Sequence, residues 1–210
     1  ICRPIGRPDL VKPQLMEEVL PTVVGLGASK PLIISVAAGK TIASFERHFG
    51  KSAAIIRTIP NTPASIGRGI TAMSANANVS AAQMKLATEL LSAIGEVVTV
   101  DREELIDSVT AVSGSGPAYV FYMTECLAAA AEKVGLPPAL AMQLARATVA
   151  GSGELMRVTG TDAATLRQNV TSPKGTTHAA LQVLMAEDGL QPLFEKAVKA
   201  AADRSRELAS

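Results

Sequence analysis

Runs of apolar, β-branched residues are concentrated in the first hundred residues of this chain. The run Leu32–Ala38 (LIISVAA) is almost wholly apolar and ends at Gly39, a pattern typical of a strand buried on both faces of a parallel sheet. Helical stretches alternate with further strands. The strands are predicted at Ala54–Ile59, Gly69–Ser74 and Glu96–Val100, and the helices at Glu17–Leu26, Ile42–Phe49 and Ser80–Ile94. This region is therefore predicted to be α/β.

Beyond Asp101 no such run recurs, and alanine, leucine and methionine follow helical spacing. Helices are predicted at Glu103–Val112, Ala118–Val134, Pro138–Val158, Ala163–Asn169, Thr177–Glu187 and Pro192–Leu208. The chain therefore divides near Val100 into an α/β domain, 1–100, and an all-α domain, 101–210.

The predicted helix Ala118–Val134 is apolar on nearly every face, since Glu125 is its one charge before the last turn. Such a helix should be buried all round, which a helical domain of this size rarely achieves alone. A partner subunit would complete the core, and a homodimer is the simplest assembly. The alternative is a central helix within a monomeric bundle.

Composition excludes several classes of protein. The 210 residues carry 20 basic and 19 acidic side chains, a net charge of +1, and only 3% aromatic residues without tryptophan, so neither nucleic acid nor a membrane is an expected partner. The two cysteines, Cys2 and Cys126, lie far apart in sequence, and no secretory or membrane-spanning segment is evident, which favours a cytoplasmic protein.

Two glycine motifs imitate phosphate-binding loops and fail on context. Gly25-Leu26-Gly27 lacks a preceding strand and has Lys30 where a third glycine belongs, and Gly39-Lys40-Thr41 has Ile34 where a phosphate loop has glycine. The second motif nevertheless follows a buried strand, where α/β sheets contact ligands through backbone. Asn61, after the next strand, lies at the same edge, although turn formation explains it nearly as well.

The segment Ser113–Pro117 (SGSGP) interrupts helix-forming sequence with small residues that permit close backbone approach. A linker and a packing notch are equally good interpretations, and its apolar flanks favour a buried, functional turn.

The segment Asn169–His178 (NVTSPKGTTH) places four hydroxyls within seven residues, just before an apolar helix. A helix N-terminus offers unsatisfied N–H groups, so hydroxyls gathered there predict an anion site, and a substrate carboxylate would fit. The alternative is plain N-capping by Thr176 or Thr177. The two histidines, His48 and His178, have no ligand partners at metal spacing, so no metal is expected.

Five segments together resemble the pyrroline-5-carboxylate reductase family. They are VKPQLMEEVL, ISVAAG, RTIPNTPA, IDSVTAVSGSGPAYV and LRQNVTSPKGTTHAALQVL, in the family's order and spacing. Family members open with a strand and a glycine-rich fingerprint, which is absent here, and the chain begins with Ile1. It is therefore expected to be N-terminally truncated, with residues 1–100 the C-terminal part of a dinucleotide-binding, Rossmann-like domain and 101–210 a helical dimerisation and substrate-binding domain.

The resemblance implies NAD(P)H-dependent reduction of 1-pyrroline-5-carboxylate to L-proline, the last step of proline biosynthesis, by a homodimer or higher homo-oligomer. It implies catalytic roles for Thr177 and Ser172, the former near the ring nitrogen. The implied substrate-binding residues are Asn169, Ser172, Gly175, Thr176 and Thr177, and the implied NADPH- or NADH-binding residues are Val11, Lys12, Pro13, Val36, Ala37, Ala38 and Asn61.

Two alternatives remain open at this point. One is a related imine or keto-acid reductase on the same fold plan, acting on a different small carboxylate. The turn SPKGTT disfavours it, because Lys174 is the only cationic side chain there that could select a larger anion, and a five-membered ring acid fits better. The other is a catalytically silent chain that only dimerises through its helical domain.

Overall fold

A computed structural model describes residues 31–209, and these divide into two compact units. One unit comprises the described residues up to Pro117 together with those from Val198 onward, and the other comprises Ala118–Ala197. The first contains a sheet covered by helices, whereas the second is helical. The predicted class, α/β followed by all-α, is confirmed.

Four strands of the described residues form one sheet in the order β1-β2-β3-β4. They are β1 (Leu32–Ser35), β2 (Ala54–Pro60), β3 (Gly69–Ala75) and β4 (Gly95–Thr99). β1 pairs with β2 and β3 with β4 in parallel, but β2 pairs with β3 antiparallel. The sheet is therefore mixed. Strand patterns indicate which residues are buried, but a short connection such as that between β2 and β3 decides the direction of pairing.

The carboxyl ends of β1 and β2 lie at one edge of this sheet, because the parallel register pairs Ser35 with Arg57. Helix α1 (Ile42–Phe49) covers one face, where Ile33, Ile55 and Phe45 form a buried cluster. Helix α2 (Ala81–Ser92) covers the other, against Ile56 and Met73. Both faces of β2 are thus buried, as its apolar sequence predicts.

Helix α2 illustrates how local sequence sets an element's bounds. The Ser80 hydroxyl accepts the Gln83 N–H, and the Gln83 side chain accepts the Ser80 N–H, so the two residues form a capping box. The helix ends before Ala93 rather than at the predicted Ile94, because Gly95 has φ +143° and already pairs with Gly69 as the start of β4.

The remaining helices agree closely with the predicted ones. They are α3 (Leu105–Val109), α4 (Gly116–Lys133), α5 (Pro138–Thr159), α6 (Ala163–Asn169), α7 (Thr176–Leu184) and α8 (Leu190–Ala209). Within residues 31–209, every helix is too short or too polar to span a bilayer. The predicted helix Glu17–Leu26 lies outside the described residues.

The segment SGSGP is not the turn that its composition indicates. Thr110–Gly114 forms a π-helix that links α3 directly to α4. The hydroxyls of Thr110 and Ser113 donate to carbonyls four residues earlier, and the Ser115 N–H reaches the Thr110 carbonyl at 2.8 Å. Small residues allow the wider backbone of this π-helix, which packs against the carboxyl end of β2 through Gly114 and Ile59.

Helix α4 is largely exposed when the chain is taken alone. Phe121 and Tyr122 are 61% and 67% exposed, and only Ala128 of the helix is buried. A central helix in a monomeric bundle would have its apolar side chains covered, so this alternative is wrong. Apolar surface on this scale indicates that another chain covers it.

Candidate functional site

The hydroxyl-rich segment forms a tight turn between α6 and α7. Asn169 is the last residue of α6, and a β-turn follows in which the Gly175 N–H donates to the Ser172 carbonyl at 3.0 Å. Pro173 occupies the second position of this turn. Lys174 occupies the third with φ +60°, in the left-handed region that a type II turn requires there. A lysine in this conformation is strained, as residues at ligand sites often are.

Gly175 is required by the packing of this turn. A Cβ built on it would collide with the Ser172 hydroxyl and would lie 3.1 Å from the Ser172 carbonyl oxygen. The missing side chain therefore keeps the Ser172 hydroxyl beside the start of α7. Gly175 is also the N-cap residue of that helix, in an extended conformation.

The N-terminus of α7 is open, and its hydroxyls are uncommitted. Because glycine is the N-cap, Thr176 and Thr177 occupy the first two helical positions, and the proposed N-capping by either hydroxyl is wrong. Within residues 31–209, the side chains of Ser172, Thr176 and Thr177 make no hydrogen bond. Of the four hydroxyls, only that of Thr171 is used, donating to the Arg167 carbonyl at 2.6 Å.

Backbone donors add to these hydroxyls. The Ala179 N–H is the first in α7 to bond within the helix, to the Gly175 carbonyl, so the three preceding N–H groups have no helical acceptor. These donors and the positive end of the helix dipole suit an anion such as a carboxylate. The five predicted substrate-binding residues thus lie in one nine-residue stretch, and their individual roles stay predictions.

The predicted cofactor residues Val36, Ala37 and Ala38 follow the carboxyl end of β1 in an irregular loop. The Ala37 N–H donates to the Ser35 hydroxyl at 3.2 Å, and Ala37 is buried while Val36 and Ala38 are exposed. With Gly39 next, three consecutive residues have no side chain beyond Cβ. A large planar or phosphorylated ligand can therefore approach the backbone here.

The start of α1, which this loop leads into, is already occupied. The Ile42 N–H donates to Glu103 Oε1 at 2.8 Å, and the Ser44 N–H donates to the Thr41 hydroxyl at 3.2 Å. A carboxylate of the chain itself thus takes the place that a ligand phosphate would take at a helix N-terminus. The motif Gly39-Lys40-Thr41 offers loop backbone for contact but not a phosphate site on the helix.

Asn61 lies at the same edge of the sheet, directly after β2. Its side-chain oxygen accepts the Ile70 N–H at 2.9 Å and thereby ties the short 3-10 helix Thr62–Ile66 to β3. Asn61 therefore has the turn-forming role that was one interpretation of its sequence context. Its amide nitrogen makes no hydrogen bond within residues 31–209, so it remains available as a donor to a ligand. Val11, Lys12 and Pro13, the other predicted cofactor residues, lie outside the described residues.

A buried charged cluster near this edge was not identified from the sequence. Arg57, in the middle of β2, is 2% exposed, with Nη1 3.0 Å from Glu103 Oε1 and Nη2 3.9 Å from Asp107 Oδ1. Asp107 Oδ1 also accepts the Ser205 hydroxyl at 2.6 Å. The available signal was an arginine inside the otherwise apolar run AIIRTI, since a buried charge requires a partner.

The helical unit has an apolar cavity of about 460 Å³ between α4 and the first turns of α8. Tyr119 and Phe194 meet edge to face across it, with ring centroids 6.4 Å apart. Cys126, which also lines it, is a free, exposed thiol. Its open apolar lining belongs to the same exposed surface as α4.

Comparison with known proteins gives one consistent result. The family model described as pyrroline-5-carboxylate reductase dimerisation matches residues 103–208. A pyrroline-5-carboxylate reductase of Synechocystis is 46% identical over 198 residues, covering 94% of this chain and 73% of that protein. The reductase of Pseudomonas aeruginosa is 43% identical, covering 95% of this chain and 72% of that protein.

Two solved structures agree with these sequence relatives. The structure of a reductase from Coxiella burnetii superposes with a TM-score of 0.90 at 40% identity, covering 96% of this chain and 74% of that one. A reductase from Plasmodium falciparum, solved with NADP bound, gives 0.82 at 31% identity, covering 95% and 75%. The chain belongs to the pyrroline-5-carboxylate reductase family.

Proposed function

We propose that this chain reduces 1-pyrroline-5-carboxylate to L-proline with NADPH or NADH, the last step of proline biosynthesis, and that the turn before α7 holds the substrate. The observation that carries the proposed site is the open N-terminus of α7, where Gly175 is the N-cap and the hydroxyls of Ser172, Thr176 and Thr177 are uncommitted. Family membership supports the reaction. Neither the silent-chain alternative nor another reductase specificity gains support from the comparisons.

The substrate carboxylate is bound by this turn. Its negative charge is matched by the first N–H groups of α7 and by the hydroxyls of Ser172 and Thr176. Asn169, the last residue of α6, contributes its side-chain amide. Fixing the carboxylate fixes the orientation of the five-membered ring, which is most of what the reaction requires of the protein.

Thr177 acts at the ring nitrogen. The protonated imine is already electrophilic, so no covalent nucleophile is needed, and the reaction adds a hydride to the ring carbon of the C=N bond. The nitrogen becomes a secondary amine, to which the Thr177 hydroxyl hydrogen-bonds as the charge on the nitrogen changes. The half-buried position of Thr177 suits a group that faces a bound ligand.

The cofactor binds at the loop that follows β1. NADP is bound in the Plasmodium falciparum relative, and the nicotinamide of such a cofactor supplies the hydride when bound. In this chain, the backbone of Val36, Ala37 and Ala38 and the Asn61 amide nitrogen are the groups available at the carboxyl edge of β1 and β2. Val11, Lys12 and Pro13 are assigned to the same site from the family pattern.

The working form is a homodimer. The family model that matches residues 103–208 is described by dimerisation, and α4 exposes the apolar side chains that a second copy would cover. Residues 1–100 serve the cofactor, and residues 101–210 serve dimerisation and substrate binding. We assign the protein to the cytoplasm, in keeping with the free, exposed thiol of Cys126.

The test is oxidation of NADPH and of NADH by the purified chain with 1-pyrroline-5-carboxylate, beside a Thr177→Val variant. Valine preserves the shape of threonine and removes the hydroxyl, so kcat/KM for the substrate should fall about ten- to a hundredfold. Thr159→Val is the matched control, because its exposed hydroxyl bonds only to nearby backbone, donating to the Leu155 carbonyl and accepting the Thr161 N–H. Equal activity of all three chains would remove Thr177 from the mechanism, and no turnover by the unmodified chain would contradict the function.

A further inference from the structure

Arg57 lies in the centre of β2, where its charge is costly unless it has a structural purpose. Its side chain is 2% exposed, and Nε and Nη2 have no hydrogen-bond partner within residues 31–209. Its close partner is Glu103, at 3.0 Å, with Asp107 farther away at 3.9 Å. A buried ion pair is weak support for stability, because well-packed apolar residues often serve as well or better. The pair therefore calls for another explanation.

Glu103 supplies that explanation, because one of its oxygens serves two donors. Oε1 accepts from Arg57 Nη1 and also from the backbone N–H of Ile42, at 2.8 Å. Ile42 is the first residue of α1, immediately after the loop Val36–Thr41. The buried arginine thus fixes the carboxylate, and the carboxylate fixes the point at which the loop joins its helix.

The other side of the loop is held by the end of α8. Gly39, with φ +74°, lies so close to that helix that a Cβ on it would be 3.0 Å from the Leu208 carbonyl oxygen. The same part of α8 is anchored by the buried hydrogen bond from Ser205 to Asp107. One charged cluster, consisting of Arg57, Glu103, Asp107 and Ser205, therefore supports the loop at two points. Glu103 holds the loop where it joins α1, and Asp107 holds the part of α8 that lies against Gly39.

We infer that Arg57 and Glu103 are positioning residues for the cofactor, which act through the Ile42 N–H on the loop Val36–Thr41. This inference rests on the proposed use of that loop by NADPH or NADH. Neither side chain touches the ligand in this scheme. They hold Ala37 and Ala38 in the conformation to which the cofactor binds. Less free energy is then lost in ordering the loop on binding, and the cofactor binds more tightly.

Two double variants separate positioning from stability. In Arg57→Met/Glu103→Gln both charges are lost, but the amide oxygen of glutamine can still accept the Ile42 N–H. In Arg57→Met/Glu103→Leu the acceptor is lost as well. Both remove the ion pair between Arg57 and Glu103, and both leave Asp107 in the same state, without Arg57 but still accepting the Ser205 hydroxyl. Any difference between the two variants therefore comes from the acceptor for the Ile42 N–H, and circular dichroism would verify that both remain folded.

The measurements are the Kd for NADPH by calorimetry, the KM values for NADPH and for 1-pyrroline-5-carboxylate, and hydrogen–deuterium exchange of a peptide covering residues 36–45. We expect the leucine variant to bind NADPH about fivefold more weakly, with faster exchange in that peptide and little change in the substrate KM. The glutamine variant should recover most of both losses.

Equal Kd values and equal exchange in the two variants would overturn the inference. So would a rise of both KM values in proportion to a lowered Tm, because that is the result of general destabilisation. The proposed function fails by a different result, the absence of turnover in the unmodified chain, and the Kd and exchange measurements decide this inference in either case.

Discussion

The two loops to which we assign ligands differ in how their polar groups are used. In Val36–Thr41 and the start of α1, the polar groups are bonded within the protein: the Ala37 N–H to Ser35, the Ile42 N–H to Glu103 and the Ser44 N–H to Thr41. In the turn before α7, three hydroxyls make no hydrogen bond within the described residues. The first loop presents a fixed backbone shape, whereas the second presents donors.

This difference matches the chemistry assigned to each loop. A large cofactor can be recognised by a fixed surface of small residues, since it brings many atoms into contact. A small carboxylate has few atoms, and it must be held by directed donors to be oriented at all. Changes to the first loop's supports should therefore affect stability, and changes to the second should affect catalysis with little cost in stability.

The largest effect on stability is expected from Arg57→Met alone. The change leaves Glu103 and Asp107 without their cation, and an uncompensated buried charge costs about 3 kcal/mol, toward the lower end of the usual range because Glu103 is 25% exposed. Chemical denaturation should show this loss in unfolding free energy. A loss near zero would mean that the cluster does not support the first loop.

The next effect tests the second loop through two changes that reach the same hydroxyl. Ser172→Ala removes it, and Gly175→Ala displaces it because the new Cβ occupies its place. Each should lower kcat/KM for 1-pyrroline-5-carboxylate about tenfold or more. The unfolding free energy should stay within about 0.5 kcal/mol in Ser172→Ala and fall by about 1 kcal/mol in Gly175→Ala, because the new Cβ crowds the Ser172 carbonyl.

The double variant decides whether the two changes act on one group. If both act through the Ser172 hydroxyl, Ser172→Ala/Gly175→Ala should lose little more than either single change. Gly153→Ala is the matched control, since a Cβ there meets nothing within 4 Å. If instead the losses in kcat/KM of the two single variants multiply in the double variant, Gly175 acts independently of the Ser172 hydroxyl.

The smallest effect separates the two roles of Asn61. Asn61→Asp keeps an oxygen for the Ile70 N–H but removes the amide donor, whereas Asn61→Ala removes both. The aspartate variant should keep its stability and bind NADPH about fivefold more weakly. The alanine variant should also lose about 1 kcal/mol of unfolding free energy. Unchanged NADPH binding in the aspartate variant would leave Asn61 with a structural role alone.

Much of the fold could be predicted from local patterns. Apolar strands, the helix start at Ser80 and the helix bounds at Ala163–Asn169 all depend on neighbouring residues, and they were predicted well. The antiparallel pairing of β2 with β3 and the π-helix at Thr110–Gly114 depend on how segments pack together. Single-sequence patterns contain little information on either.

The candidate site shows the same division. The turn before α7 was predicted because its donors are contiguous in sequence, and even there the N-cap proved to be Gly175 and not a threonine. The Arg57 cluster could not be predicted as a unit, because Arg57, Glu103 and Ser205 come from three distant segments. Only the lone arginine in an apolar strand indicated that partners must exist.

The central claim is that the turn before α7 holds the substrate carboxylate, and the most direct test is a crystal structure of the chain with L-proline and NADP bound. We predict the proline carboxylate within hydrogen-bonding distance of Ser172, Thr176 and the first N–H groups of α7, with the ring nitrogen near Thr177. Proline bound with its carboxylate on other residues, and these hydroxyls turned to solvent, would contradict the claim.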